Sequence, residues 1–235
     1  MKLFSKCVSN LPTFSKFSLG LDEDMELASL ISCIPTLKRL ELRSINGKTS
    51  GFGFLNIAEN LEKITTLLTL VLDIDGIEKA TEPTAENFAE TIANIETMRT
   101  LILISQKPSS SNNMKLKRFF QFLPEINTLR RLHINLFKTL SSKVAINEIS
   151  KGIKTQKYLE DLTLMLQECG LTDIELSAIA DSISDLGKIK FFKISIKDNW
   201  NIICPGIVEL FKSLRDLNNL TSLYLDFTGI KQLSD

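Results

Sequence analysis

The sequence has no excess of charge of either sign. Its 28 Lys and Arg side chains balance its 28 Asp and Glu side chains, so the formal net charge at pH 7 is zero. A strongly basic protein attracts nucleic acid or an anionic membrane through its overall field, and this chain has no such field. We therefore expect neither nucleic acid nor a membrane among its partners.

Long hydrophobic runs are also missing. Uninterrupted apolar stretches such as residues 101–104 are far shorter than the roughly 20 residues of a membrane-spanning helix. Near the N-terminus, Lys2 and Lys6 interrupt the apolar stretch that a signal peptide would need. These features predict an intracellular, cytoplasmic protein.

Cysteine is scarce and scattered. Cys7, Cys33, Cys169 and Cys204 show no CxxC pair and no Cys/His ligand spacing. We interpret them as small, buried or half-buried thiols in a reducing compartment.

Sites for chemistry are equally sparse. His133 is the only histidine, and neither a zinc ligand set nor a Gly-x-Ser-x-Gly nucleophile motif accompanies it. Residues 73–76 (DIDG) lack the remaining acidic positions of a calcium loop, and residues 47–49 (GKT) lack the preceding glycine of a phosphate-binding loop. We expect a protein that is not an enzyme and that holds no metal or cofactor.

What the sequence does contain is one mostly apolar signature that returns eight times. Each copy is spaced like Ile64, Leu67, Leu70 and Leu72. The second position of the successive copies is occupied by Phe14, Leu37, Leu67, Met98, Leu129, Leu159, Ile189 and Leu220. The intervals between these residues are 23, 30, 31, 31, 30, 30 and 31. A constant period of this size is typical of stacked structural repeats.

Two periodicities alternate within each repeat. Residues 162–166 (LTLML) alternate as in a strand with one buried face. Upstream of most signatures the spacing becomes helical, with apolar residues 13, 10, 6 and 3 positions before the second signature residue; before Leu67 these are Phe54, Ile57, Leu61 and Ile64. Helix-start signals agree: Thr172 and Glu175 form a predicted capping box, Pro205 suits a first helical turn, and Thr84 is a candidate cap.

One strand and one helix per repeat define the expected architecture. A strand–helix–strand connection is right-handed, so all strands run parallel. Helices need about 10 Å of width and strands about 4.8 Å, so the stack must bend. The prediction is a single domain over residues 1–235: a right-handed α/β solenoid, or horseshoe, with a parallel sheet of about eight strands on the concave face and helices on the convex face.

This pattern resembles the leucine-rich repeat proteins, and its long helical unit resembles their ribonuclease-inhibitor-like subclass. The best match is residues 159–164 (LEDLTL), followed by Cys169-Gly170-Leu171 and the helix from 172 to 186. The asparagine or cysteine that usually follows the strand in this family is mostly absent, with Ile74, Leu136 and Ile196 soon after the strand cores. The first interval is short, which predicts that the helix over residues 25–34 is either truncated or preceded by a tight turn.

The odd positions of the strands are predicted to face outward, on the concave surface. Several are apolar, and two interpretations stay open: β-branched residues favour strands in general, or the patch is a partner footprint centred on Val71, Ile102, Ile104 and His133. The predicted protein-binding residues are Arg43, Val71, Asp73, Ile102, Ile104, Arg131, His133, Asn135, Met165, Lys193 and Tyr224. Trp200, the only tryptophan, follows a strand in a loop, where it either contacts a partner or covers the core.

Three functions are compatible with these features. The first is a non-catalytic protein–protein interaction scaffold that binds a protein partner on its concave sheet and adjacent loops. The second is regulation of a small GTPase, because Ran GTPase activators share the resemblance and use a residue in a loop after a strand, a place that Arg43 would occupy. The third is a structural subunit or fragment of a larger assembly, since the repeats run from about Leu11 to Phe227 without evident polar caps.

Overall fold

The chain alternates short strands and helices. The computed structural model describes residues 15–21, 31–34, 36–44, 51–75, 77, 80–106, 114–138 and 142–230. The strands are β1 (Lys16–Leu21), β2 (Arg39–Ser44), β3 (Thr69–Asp73), β4 (Thr100–Ser105), β5 (Arg131–Phe137), β6 (Asp161–Gln167), β7 (Phe191–Ser195) and β8 (Ser222–Asp226). The α-helices of the described residues are α1 (Gly51–Leu61), α2 (Glu82–Ala93), α3 (Met114–Phe120), α4 (Ser142–Lys154), α5 (Asp173–Ser184) and α6 (Cys204–Arg215). A 3-10 helix, Leu123–Glu125, follows α3.

The strands form one open sheet in sequence order, from β1 to β8. Each of the seven neighbouring pairs is parallel. The predicted α/β architecture with one parallel sheet of eight strands is therefore confirmed.

Equivalent residues of successive repeats lie side by side in the sheet. One row of the register joins Leu40, Leu70, Leu101, Leu132, Leu162, Phe192 and Leu223. A repeated backbone contact sets this register just before each strand. The carbonyl oxygen of Arg99, for example, accepts hydrogen bonds from the N–H groups of Arg130 and Arg131, and Arg130 does the same for the next repeat.

The strand leucines and the helix stripes share one hydrophobic core. The apolar positions predicted upstream of Leu67 are at most 6% exposed, and the matching positions upstream of Met98, Leu129, Leu159, Ile189 and Leu220 are buried too. Each helix contacts the helix of the next repeat. Ile74, Leu136 and Ile196, the three departures from the family pattern, are also buried in this core. The expected short helix over residues 25–34 lies outside the described residues except at 31–34, where residues 31–33 form a 3-10 turn.

The predicted helix starts are partly confirmed. Thr172 and Glu175 form a complete capping box at α5, and Pro205 lies in the first turn of α6. The prediction for α2 was wrong by one turn, because Thr81 is the N-cap residue. The hydroxyl of Thr81 accepts a hydrogen bond from the backbone N–H of Thr84, which is itself inside the helix.

The N-terminus of α6 is capped by a residue of the preceding repeat. Its own N-cap residue, Ile203, has no side-chain oxygen to offer. Asp173, at the start of α5, accepts hydrogen bonds on Oδ1 from the backbone N–H groups of Ile203 (3.1 Å) and Gly206 (2.8 Å). A Cβ atom on residue 206 would lie 2.9 Å from the Asp173 backbone, so glycine permits this close approach. One acidic side chain thus joins two consecutive helices.

Polar side chains also join the loops that follow the strands. Asn199 is completely buried; its amide nitrogen donates to the carbonyl oxygens of Leu166 and Ile196, and its amide oxygen accepts from the Leu171 N–H. Cys169, thirty residues earlier, donates from its thiol to the Leu136 carbonyl oxygen at 3.3 Å. Each of these side chains therefore satisfies a carbonyl of the preceding repeat.

A second series lies at the other end of the strands, in the turns that precede them. The hydroxyls of Thr66, Thr97 and Thr128 donate to the carbonyl oxygens of Leu37, Leu67 and Met98 at 2.6–2.8 Å. Both ends of the strands are consequently tied across repeats by side chains as well as by the sheet.

Replacing Asn199 with alanine should lower the free energy of unfolding by about 2–3 kcal/mol. The substitution leaves buried backbone groups of Leu166 and Leu171 without a hydrogen-bond partner. Urea unfolding followed by circular dichroism measures the change. The matched control is Asn201→Ala at an exposed position nearby, for which we expect a change within about 0.5 kcal/mol. Equal effects of the two substitutions would contradict the structural role of Asn199.

Candidate protein-binding surface

The predicted binding residues on the strands form two rows of the outward-facing side of the sheet. The sheet register places Ser18, Glu41, Val71, Ile102, His133, Thr163, Lys193 and Tyr224 side by side. The next outward row contains Arg43, Asp73, Ile104, Asn135, Met165, Ser195 and Asp226. The strand-bound members of the predicted set are therefore brought together on one face, with the exception of Arg131, which begins the same face one row earlier.

Exposure divides this set. Arg43, Arg131 and Tyr224 are exposed, whereas the following are half-buried: Asp73, Ile102, Ile104, His133, Asn135, Met165 and Lys193. The expectation that Val71 is accessible was wrong, because only 3% of it is exposed. Val71 lies between the longer side chains of Glu41 and Ile102 in its row, and a short side chain on a pleated surface is covered by such neighbours.

The accessible apolar part of this face therefore centres on β4 and β5. Ile102 pairs with His133, and Ile104 pairs with Asn135, which in turn pairs with Met165 of β6. We call Ile102, Ile104, His133 and Met165 the central patch. All four members of the patch are half-buried, so part of each side chain remains accessible to solvent.

His133 is the most constrained polar group of the central patch. Its Nε2 atom is buried and has no hydrogen-bond partner within the described residues. Burial lowers the pKa of His133, the carboxylate of Asp161 acts to raise it, and the ammonium of Lys193 lowers it further. The imidazole is therefore held in its neutral form to lower pH than a solvated histidine.

Asp161, which begins β6, has the opposite shift. Burial raises its pKa, and the positive charges of Arg131 and His133 counteract that rise. Asp161 and Phe191 lie on the same outward face but were not among the predicted residues. They stand two positions before Thr163 and Lys193, so extending the strand alternation toward the N-terminus would have found them.

A polar and charged rim surrounds the central patch. The ammonium of Lys193 lies 4.4 Å from the ring centroid of Tyr224, a cation–π geometry. On the opposite side, Arg43 and Arg39 both form salt bridges with Glu41, and the hydrogen bond from Arg43 lowers the pKa of Glu41. Arg43 was expected in a loop after the strand, but it lies within β2. The GTPase-regulator hypothesis needs Arg43 in a loop after the strand, and the contacts of the described residues do not place it there.

Trp200 lies in the loop between β7 and α6, and 62% of it is exposed. This residue was expected either to contact a partner or to cover the core, and such exposure is less compatible with covering the core. It is separated along the chain from the central patch and forms part of a second, loop-borne surface.

Comparisons with known proteins give no assignment: no protein-family model matches the chain, and no curated protein matches its sequence. Across the part of the chain that the structure describes, no three His, Cys, Asp or Glu side chains form a group that could hold a metal ion. The helices described here are also all too short or too polar to span a membrane. The function must be inferred from the surface geometry itself.

The titration of His133 tests the geometry of the central patch. Because the chain has a single histidine, one imidazole resonance in proton NMR reports its pKa, which we expect below 6.5. Asp161→Asn removes the charge that raises this pKa, so the pKa should fall further; Lys193→Gln should raise it. A shift in the reverse direction in either variant would contradict the arrangement.

The lowered pKa also sets the sign of a stability effect. The folded state binds a proton on His133 less readily than the unfolded state does. The contribution of the neutral imidazole to the free energy of unfolding is therefore complete above the unfolded-state pKa of 6.5, and it is lost as pH falls through the folded-state pKa. The stability difference between the wild type and His133→Gln, from urea unfolding at successive pH values, should therefore shift against the wild type as pH falls. A pH-independent difference would contradict it.

Proposed function

We propose that this protein is a leucine-rich repeat protein of the ribonuclease-inhibitor-like subclass, folded as a right-handed solenoid. Support comes from the period of 30–31 residues in the sequence, the sequential parallel sheet and the helix of each repeat contacting the next. Right-handed crossovers are the rule for parallel strands joined by helices. The wider spacing of helices than of strands bends such a stack, with the sheet on the concave side and the helices on the convex side.

The function that we propose is that of a non-catalytic, intracellular scaffold whose sheet face binds a protein partner. The observation that carries this proposal is the central patch: Ile102, Ile104 and Met165 are apolar and half-exposed on the outward face of the sheet. A solvated face does not need such residues, and a patch of this composition with a polar rim is characteristic of protein interfaces.

The rim supplies residues suited to specificity. Arg131 and Tyr224 are exposed at the borders of the patch, and arginine and tyrosine are enriched where interfaces gain most of their binding energy. The half-buried imidazole of His133 adds a polar group at the patch centre. Trp200 offers an additional contact from the adjacent loop. The set of residues predicted from the sequence is retained in this proposal without Val71.

The triple variant Ile102→Ala/Ile104→Ala/Arg131→Ala tests the scaffold function. Affinity purification from the source cells, followed by quantitative mass spectrometry, identifies proteins that the wild type retains. We expect the triple variant to retain the partner at least about tenfold less, since loss of central interface residues typically costs more than 1 kcal/mol each.

A matched control removes two exposed aliphatic side chains and one arginine that lie outside the strands: Leu68→Ala/Ile174→Ala/Arg215→Ala. These three residues are exposed, Leu68 by 40% and Ile174 by 75%. The control should retain the partner as the wild type does, and circular dichroism should show equal helicity for all three proteins, each still folded at the assay temperature. Undiminished binding by the sheet variant would refute the proposed binding face.

A second candidate function, a subunit of a larger assembly, is favoured by the surface around β8. Leu223 occupies the row of core leucines, yet 47% of it is exposed, and Val208 and Phe211 of α6 are 48% and 49% exposed. The same row is fully buried at Leu162 and Phe192. β8 is an edge strand of the sheet that the described residues form, and a partner that adds to this edge would complete the burial of the row.

Leu223→Glu tests the assembly hypothesis. If this surface pairs with another molecule, the wild type should sediment as an associated species at micromolar concentrations, and the variant as a monomer, because a carboxylate cannot be buried unpaired. Ser222→Glu, at an exposed neighbouring position, is the control. A wild type that stays monomeric at every concentration would count against self-assembly through this edge.

A further inference from the structure

A basic groove lies outside the proposed partner surface, in the turns that precede β4, β5 and β6. Its volume is about 860 Å³, and its lining includes Arg99, Arg130, Lys154, Lys157 and Tyr158. Among the residues that the structure describes, no Asp or Glu side chain belongs to the lining. A volume of this size accommodates a small organic molecule.

Two of the four cations are already paired with acids outside the groove. Arg130 forms a salt bridge with Glu160, and Lys154 forms one with Asp181 at 2.7 Å. Glu160 also accepts from Lys190 at 2.8 Å, and the hydrogen bonds from Lys190 and Arg130 lower its pKa. Lys190 thus balances part of the negative charge that faces Arg130, so the pairing leaves the wall of the groove positive.

The other two cations have no acidic partner within the described residues. Arg99 uses only Nη1, which donates to the backbone carbonyl oxygens of Glu96 and Met98, both at 3.0 Å. The ammonium of Lys157 makes no hydrogen bond and no salt bridge in this part of the chain. Both side chains are exposed, so their donor groups are available to a ligand.

The position of the two arginines makes the positive charge hard to explain by folding alone. Arg99 and Arg130 occupy equivalent sites in consecutive repeats, because each carbonyl accepts the same two N–H groups from the next repeat. Strands stand about 4.8 Å apart, and like charges on directly neighbouring positions destabilise a sheet. The C-terminal end of α4 attracts cations and accounts for Lys154, but it does not account for two adjacent arginines.

An aromatic side chain stands beside these cations. Tyr158 is 51% exposed, and the Lys188 ammonium lies 4.6 Å from its ring centroid. Guanidinium groups bind phosphate oxygens through paired N–H donors, and an exposed ring can stack on a planar base.

We infer that this groove binds a small molecule carrying two linked phosphate groups, with Arg99, Arg130 and Lys157 contacting the phosphate oxygens. This inference does not depend on the proposed function, because the groove lies at the ends of the strands and shares no residue with the central patch. The diphosphate could be free or part of a nucleotide, in which case Tyr158 stacks on the base.

Isothermal titration calorimetry with pyrophosphate at low ionic strength tests the inference directly. We expect the wild type to bind and the double variant Arg99→Gln/Lys157→Gln to bind about tenfold more weakly or not at all, since two charge-assisted contacts are lost. Neither residue has an acidic partner in the described part of the chain, so thermal unfolding should be unchanged. If the double variant did not fold, Lys157→Glu alone, at an exposed position, should produce the same loss.

The matched control is Lys212→Gln/Arg215→Gln, which removes the same charge from the last turn of α6. Pyrophosphate should bind this variant as it binds the wild type. A second titration with ADP identifies the source of the diphosphate. If ADP binds more tightly than pyrophosphate, and if Tyr158→Leu removes this difference, the ligand is a nucleotide. If ADP and pyrophosphate bind equally, the groove recognises the diphosphate group alone. Absence of pyrophosphate binding by the wild type, or an equal loss in the control, would overturn the inference.

Discussion

The in-register stacking of one leucine row on the next is the constraint on which the rest of the structure depends. Leu70, Leu101, Leu132 and Leu162 lie side by side and are essentially buried. Burying each such side chain stabilises the fold by about 1.5–3 kcal/mol. A slip of one residue would turn every leucine of a strand toward solvent. The register therefore cannot vary between repeats, and the carbonyl that accepts two N–H groups before each strand fixes it locally.

That constraint decides what the surface can be. Once the leucines face the core, every intervening residue must face outward, and residues 30 or 31 positions apart become neighbours. The central patch is composed in this way from Ile102, His133 and Met165, which are remote in the sequence. The same rule brings Lys193 to Tyr224 and Arg130 to Glu160. The chemical character of the surface is thus set by rows of equivalent positions in successive repeats.

Much of the fold could be predicted because the leucine period is a local signal repeated many times. The capping box at Thr172 was predictable for the same reason, since both partners lie within four residues. The cap of α6 was not, because Asp173 lies thirty residues upstream and only stacking brings it near. Asn199 and the threonine series escaped prediction likewise, as their acceptors are carbonyls of another repeat. Val71 was misplaced because alternation gives the direction of a side chain and says nothing about the length of its neighbours.

In a chain of stacked repeats, the most informative positions are those whose residues differ from what stacking favours. Stacking penalises like charges in consecutive repeats, and the sequence respects this where Arg130, Glu160 and Lys190 alternate in sign. The sequence departs from this pattern at Arg99 and Arg130, which place like charges in consecutive repeats. Solvent likewise favours polar outward residues, which Ser18 and Thr163 provide and Ile102 does not. Folding explains neither departure, since an alternating charge or a threonine would serve the sheet equally well. Each departure lies in an accessible depression or patch, and this coincidence favours selection for binding over selection for stability.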